Sequence, residues 1–307
     1  MNVIQIDNLV KKFGDYTAVN GLNLSIEKGE VFGLLGPNGA GKSTTINLVC
    51  GLLHATSGNI RLFGNKVEDE KRKLGFVPQN IALYDNFTAY ENVKFFGELY
   101  GLKGKELENG IDEALEFTGL SDVKRKKAKT FSGGMLRRLN IATALVHQPQ
   151  ILIMDEPTVG IDPQSRNHIL KSVQRLNEKG VTIVYTTHYM EEVEAICNRI
   201  AIIDKGQVIA SGTKKELTDL ISDKKSLQLT VDDALELDKE AISLIDGVVN
   251  VEINDNLIQV ESLKENDNLN AIIAYVNSKN VKIRSIGTTD VTLETVFLTL
   301  TGRKLRD

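Results

Sequence analysis

The chain has 307 residues, 41% hydrophobic and 25% charged, with 37 Lys and Arg against 41 Asp and Glu. This is the composition of a globular protein long enough for two cores, and the near balance of charge argues against a general nucleic-acid binder. No apolar run reaches the roughly 18–20 residues of a membrane span, residues 1–7 lack the basic start and apolar stretch of a signal peptide, and Cys50 and Cys197 match no metal-ligand spacing, which suits buried thiols in a reducing compartment.

In chain order, residues 31–35 (Val-Phe-Gly-Leu-Leu) predict a short apolar strand running into a glycine-rich turn. Residues 42–51 then predict a helix closed by Gly51. Residues 88–100, 104–118 and 133–147 carry three helical patterns and little strand character, so 88–148 reads as a helical insertion in an α/β core. The basic run Lys124-Arg125-Lys126-Lys127 inside it reads as a solvated loop. Residues 151–154 and 181–185 are apolar or β-branched throughout, as central parallel strands are. A crossover helix over 163–178 joins them, with Pro163 in its first turn. Past residue 209 the pattern changes. A short helix over 213–220 leads to a polar linker at 221–226. Leu227, Leu229 and Val231 alternate as a strand, as do Val249, Val251 and Ile253. A turn at Asn254-Asp255-Asn256 and a second arm over 257–260 follow. Leu269, Ile272, Ile273 and Val276 keep helical spacing, 281–286 is a further strand, and Leu293, Val296, Phe297 and Leu300 form a last buried helix face. The order β-α-β-β-α-β plus a final helix predicts a small ferredoxin-like α+β domain. Residues 225–307 hold 9 basic and 14 acidic side chains, so this part is acidic and unsuited to nucleic acid or an anionic membrane.

Two motifs carry chemistry. Gly36-Pro37-Asn38-Gly39-Ala40-Gly41-Lys42-Ser43 fits G-x-x-x-x-G-K-[ST] between a predicted strand and helix, the context this phosphate loop requires. Its glycines let backbone N–H groups close around phosphate oxygens at a helix N-terminus. Lys42 is suited to neutralise the β- and γ-phosphates, and the Ser43 hydroxyl to ligate Mg2+. Residues 151–156 form an apolar strand ending in Asp155 and Glu156, then Pro157. Asp155, at the carboxyl end, is placed to hold Mg2+ through water. Glu156, one position on, can polarise an attacking water as a general base.

A third segment gives the pair its context. Ser132-Gly133-Gly134 opens a predicted helix between the phosphate loop and the acidic strand end. Together these pieces resemble the ATP-binding cassette (ABC) ATPases over residues 2 to about 215. The resemblance implies a P-loop NTPase core with an antiparallel β subdomain, an ABC ATPase domain at 1–220 with a helical subdomain at about 88–148, and a C-terminal accessory domain at 227–307. It implies ATP and Mg2+ as ligands, with Phe13 stacking on adenine (Tyr16 is the second candidate) and Thr44 joining the phosphate site. Gln79 would sense Mg2+ and meet the membrane subunit. Asp162 would contact the opposite cassette, and His188 would touch the γ-phosphate. Ser132, Gly133 and Gly134 would contact the ATP held by a second copy, so the resemblance implies a homodimer formed on ATP binding. Met135 stands where the family signature commonly has glutamine.

Residues 293–302 resemble the Leu-Glu-x-Val-Phe-x-x-Leu-Thr-Gly ending of the drug-resistance and antibiotic-export branch. That implies an exporter of drugs, antibiotics or lipids, in which the chain serves a separate integral membrane permease of the ABC-2 type. The chain would be cytoplasmic and peripheral at the inner face of the membrane, with no nucleic acid partner. Three alternative classes fit the sequence less well. Ribosome-acting ABC ATPases carry two cassettes in one chain and DNA-acting ones a long central coiled coil, and neither feature is present. Importer subunits carry β-rich tails, unlike the two-helix pattern here.

Overall fold

The computed structural model describes residues 1–221, 224–263, 265–289 and 292–302, which group into two compact units: Met1–Lys214 with the terminal residues from Leu300, and Lys215–Thr299. In the first unit the chain forms β1 (Asn2–Phe13), β2 (Tyr16–Glu27), β3 (Val31–Leu35), α1 (Lys42–Val49), β4 (Ser57–Leu62), β5 (Asn65–Lys66), α2 (Val67–Glu70) and β6 (Leu74–Val77). Three helices follow, α3 (Ala89–Leu99), α4 (Gly104–Phe117) and α5 (Gly133–Leu145), then β7 (Ile151–Asp155), α6 (Pro163–Glu178), β8 (Thr182–Thr186), α7 (Met190–Ile196), β9 (Arg199–Asp204) and β10 (Gln207–Gly212).

Among the described residues of this unit the strands form two sheets. One is antiparallel, in the order β2-β1-β4-β5; the other has the order β10-β9-β3-β8-β7-β6 and is parallel except at its β10 edge. The parallel strands read as continuous apolar runs because both faces are covered. Successive residues of β7 show it: Ile151 and Ile153 pack with the antiparallel sheet, and Leu152 and Met154 with the helical layer. Phe32, Leu34 and Val184 join the first core, and Val31, Ile183 and Tyr185 the second.

Strand order positions the site. Leu34 pairs with Thr186 and Thr186 with Asp155, while Val77 pairs with Met154. The carboxyl ends of β3, β8, β7 and β6 therefore lie side by side. Each is followed within two residues by a residue singled out from the sequence: Gly36, His188, Glu156 and Gln79.

The helical insertion forms as expected. Thr88 caps α3 in a reciprocal pair with Glu91. The basic run lies in a loop whose backbone also serves that helix, since Ala89 and Tyr90 N–H donate to the carbonyls of Lys126 and Lys124. Lys124 pairs with Asp112 at 2.8 Å.

In the second unit α8 (Lys214–Asp219), which begins at the boundary, leads to β11 (Lys224–Val231), α9 (Lys239–Ser243), β12 (Val248–Asn254), β13 (Leu257–Leu263), α10 (Leu269–Ser278), β14 (Ile283–Thr289) and α11 (Leu293–Thr301). Among the described residues the sheet order is β12-β13-β11-β14, antiparallel throughout. This is the ferredoxin-like arrangement expected from the element order. Its core holds Leu227, Leu229, Val231, Val251, Ile258, Val260, Ile272 and Val276.

Three expectations need correction. The polar linker is shorter than 221–226: residues 222 and 223 lie outside the described residues, but Lys224–Ser226 begin β11, because pairing with β13, joined by β14 at Ser226, satisfies backbone groups whatever the side chains. Strand β14 starts at Ile283 and not at residue 281. On α11, Leu293, Val296 and Phe297 are buried, but Leu300 is 36% exposed.

Candidate functional site

The phosphate loop leaves the fully buried β3 and closes on backbone contacts that admit no side chain. A Cβ on Gly36 would lie 2.4 Å from the Ile203 carbonyl oxygen, and one on Gly41 2.4 Å from that of Ala18. Gly41 also has φ +103°, a conformation that L residues rarely adopt. As N-cap of α1 it offers no side-chain acceptor, so the first-turn N–H groups are left to an anion. Lys42 folds over this loop, its Nζ donating to the carbonyls of Gly36 at 2.7 Å and Pro37 at 3.2 Å. Burial lowers its pKa, and the charges of Glu156 and Asp155 offset part of that shift. Ser43 is exposed at the loop's end and Thr44 partly so.

Asp155 is buried, and its Oδ1 accepts from Thr186 Oγ1 at 2.7 Å. Glu156 sits at φ +46°, unusual for a residue with a side chain. Its N–H holds that conformation by donating to Thr186 O at 3.1 Å and Thr186 Oγ1 at 2.9 Å. The turn aims the Glu156 carboxylate at two other residues from the sequence reading. Gln79 Nε2 donates to its Oε2 at 3.1 Å, and His188 Nδ1 lies 3.4 Å from the same oxygen. Gln79, Glu156 and His188, spread over more than 100 residues of chain, thus meet at one atom.

The other residues stand apart from this cluster. Ser132 is exposed and caps α5, accepting from Met135 N–H at 3.3 Å. Gly133 is exposed as well, while Gly134 is buried against α6: a Cβ there would lie 2.2 Å from Ser165 Oγ and 3.4 Å from Asp162 Oδ2. Asp162 caps α6, its Oδ1 accepting from Ser165 N–H at 2.9 Å, and hydrogen bonds from the Ser165 side chain first and its N–H second hold the carboxyl below the usual range. Met135 is half-buried against the helical core. Phe13 is 47% exposed beside Tyr16 in the β1–β2 hairpin. The Tyr16 hydroxyl donates to Gly39 O at 3.3 Å, and Lys11 lies over the Phe13 ring.

Sequence reasoning missed three residues that hold this site. Thr186 bridges Asp155 and Glu156, as described. Arg137, buried on α5, donates to the carbonyls of Pro78 at 2.9 Å and Gln79 at 2.7 Å, tying the Ser132 helix to the Gln79 loop. Asn140, three residues on along the same face, accepts from Ala82 N–H at 3.3 Å. Polar residues spaced three apart at 137, 140 and 143 within the apolar-patterned helix were the available signal.

As to chemistry, the Ser43 hydroxyl, Gln79 amide oxygen and Asp155 carboxylate are the oxygen donors that the sequence reading offers for a metal. Such a set suits Mg2+, which keeps several waters and takes further ligands from substrate phosphates. Among the described residues, no group of three or more His, Cys, Asp or Glu side chains is placed to hold a metal.

Comparison with known proteins finds the chain's likeness among ATP-binding cassettes. The ABC transporter family profile matches residues 19–159. The chain is 46% identical to the linearmycin resistance ATP-binding protein of Bacillus subtilis, over 99% of this chain and 100% of that one. It is 36% identical to the daunorubicin/doxorubicin resistance ATP-binding protein of Streptomyces peucetius, over 99% and 94%. Among solved structures it resembles a nucleotide-free ATP-binding cassette from an ABC transporter, with TM-score 0.65 and 29% identity over 73% of this chain and 96% of that one. It also resembles a dimeric cassette in a post-hydrolysis state bound to ADP and Pi, with TM-score 0.63 and 29% identity over 68% and 98%.

Proposed function

Because the chain belongs to the ABC transporter family, as an ATP-binding and ATP-hydrolysing subunit, we propose that it powers export of a drug- or antibiotic-like molecule through a separate membrane permease of the ABC-2 type. Among its described residues no helix is long and apolar enough to cross a membrane, so a partner would supply the path and hold this subunit at the inner membrane face. Likeness over the whole chain, tail included, to a protein named for linearmycin resistance supports the export reading.

The observation that carries the catalytic reading is the meeting of Gln79 and His188 on the Glu156 carboxylate. In this reading Gly36, Pro37, Asn38, Gly39, Ala40, Gly41, Lys42, Ser43 and Thr44 enclose the phosphates of ATP, and Phe13 supports the adenine. Ser43, Gln79 and Asp155 hold Mg2+, which neutralises charge on the β- and γ-phosphates. Glu156 accepts a proton from the attacking water and His188 contacts the γ-phosphate. Ser132, Gly133 and Gly134, exposed or packed away from their own phosphate loop, contact ATP on a second copy across a head-to-tail dimer, with Asp162 at the interface. Residues 1–220 would form the ATPase domain and 227–307 an accessory domain.

The test is Glu156→Gln. With MgATP, the variant of this 33.9 kDa chain should lose turnover and elute with doubled mass in light scattering, reverting when ATP is removed. Unchanged hydrolysis would remove Glu156 as the base; a monomer with ATP bound would remove the sandwich dimer.

A further inference from the structure

Glu192, in the first turn of α7, has no part in the reading above, yet it is only 2% exposed. A carboxylate is costly to bury unless its oxygens are well matched. Here one of them is matched three times. Oε2 accepts from Thr158 Oγ1 at 2.9 Å, Tyr185 OH at 3.0 Å and Thr187 Oγ1 at 2.8 Å, and all three donors are fully buried. Oε1 faces Arg166 Nε at 3.4 Å. The partners come from four segments that border the site: the loop from Glu156 to Asp162, strand β8, the residue before His188, and the first turn of α6.

Two paths lead from this carboxylate to His188. Thr187, whose hydroxyl proton goes to Glu192, accepts Tyr189 N–H on the same oxygen at 3.0 Å. That closes a tight turn with His188 at its centre. Arg166, drawn toward Glu192, lies 4.3 Å over the Tyr189 ring. The Tyr189 ring in turn lies against the His188 imidazole, centroids 4.3 Å apart. Backbone and ring of His188 are both set from one buried carboxylate.

We propose that Glu192 is a positioning residue for ATP hydrolysis: it fixes the turn and ring of His188 and joins them to the Thr158–Asp162 loop, so that the γ-phosphate contact and the dimer-facing loop move together. This rests on the roles given above to His188 and Glu156.

The experiment compares ATP turnover and nucleotide affinity of the full chain as Glu192→Gln, His188→Ala and the two combined. Glutamine keeps the size but replaces the charge facing Arg166. Glu192→Gln should lower kcat on the order of 10²-fold, the scale of a 1 Å misplacement of a reacting group, with affinity for a fluorescent ATP analogue little changed. Added to His188→Ala it should cost nothing more, because the group it positions is gone. A purely structural role would instead lower affinity and stability in both backgrounds. Wild-type kcat in Glu192→Gln, or losses that multiply in the double variant, overturn the proposal. Wild-type kcat in His188→Ala overturns the His188 role itself, and the proposal with it. If the glutamine variant does not fold, Glu192→Asp, which keeps the charge but is one methylene too short to reach all three hydroxyls, should show the same pattern. Imidazole NMR gives a readout independent of turnover: Glu192→Gln should shift the His188 signal and leave that of exposed His54 in place. An unmoved His188 signal also overturns the proposal.

Discussion

Gly134→Ala separates packing from helix propensity. In an exposed helix, glycine to alanine gains roughly 0.8–1 kcal/mol. At Gly134 the new Cβ would stand 2.2 Å from Ser165 Oγ and 2.8 Å from Ser165 Cβ. The hydroxyl can rotate away; the Cβ belongs to α6 and cannot. Reaching an ordinary 3.4 Å contact from 2.8 Å requires the N-terminal ends of α5 and α6 to part by about 0.6 Å. Overpacking of this kind costs about 1–3 kcal/mol, so the net effect is a loss of up to about 2 kcal/mol. At about 2–4 °C per kcal/mol for a unit of this size, the melting temperature should fall by up to about 8 °C. The same shift moves Ser132, so turnover should fall about tenfold or more while affinity for nucleotide changes little. Differential scanning fluorimetry and an ATPase assay read the two effects, and Ser165→Gly in the same chain should restore both. A Gly134→Ala protein that melts higher than wild type and hydrolyses ATP at the wild-type rate would show that helix propensity, and not the α5–α6 contact, governs this position.

Thr186→Val keeps the shape of the side chain but takes one hydrogen bond from Asp155 and one from the Glu156 N–H. The Glu156 N–H keeps the Thr186 carbonyl, but buried Asp155 loses its Thr186 donor at a cost of about 1–3 kcal/mol, and loosening the Glu156 turn should lower kcat more than it raises KM. His147 sets an acid limit on stability. Burial against the Tyr100 ring depresses its pKa to about 4 from the ordinary 6.5. Below pH 6.5 the unfolded chain takes up a proton that the folded chain refuses, so stability falls as pH drops toward 4. Between pH 7 and 5 this amounts to about 2 kcal/mol. Urea midpoints at the two pH values should differ accordingly in wild type and much less in His147→Gln.

Much of the fold was legible because its signals are local. Glycines at 36, 39 and 41, Pro163 at a helix start and the apolar runs at 31–35 and 151–154 each dictate backbone over a few residues. The alternation of Leu227, Leu229 and Val231 announced β11. Lys224–Ser226 read as linker in the sequence because strand pairing with β13 is made by backbone groups, which charged side chains do not announce. Leu300 kept helical spacing yet stands exposed, since periodicity names a face and not its depth.

The sequence by itself determined the phosphate loop, the acidic strand end, the Ser132 helix cap and both α/β patterns, because each depends on residue types at short fixed spacing. Only the tertiary structure decided that Gln79, Glu156 and His188 share one carboxylate oxygen, that Arg137 grips the Gln79 loop, and that Glu192 gathers Thr158, Tyr185, Thr187 and Arg166. The reason lies in strand order. Parallel strands joined by long crossovers bring distant residues to one sheet edge, and no local spacing records which strands become neighbours.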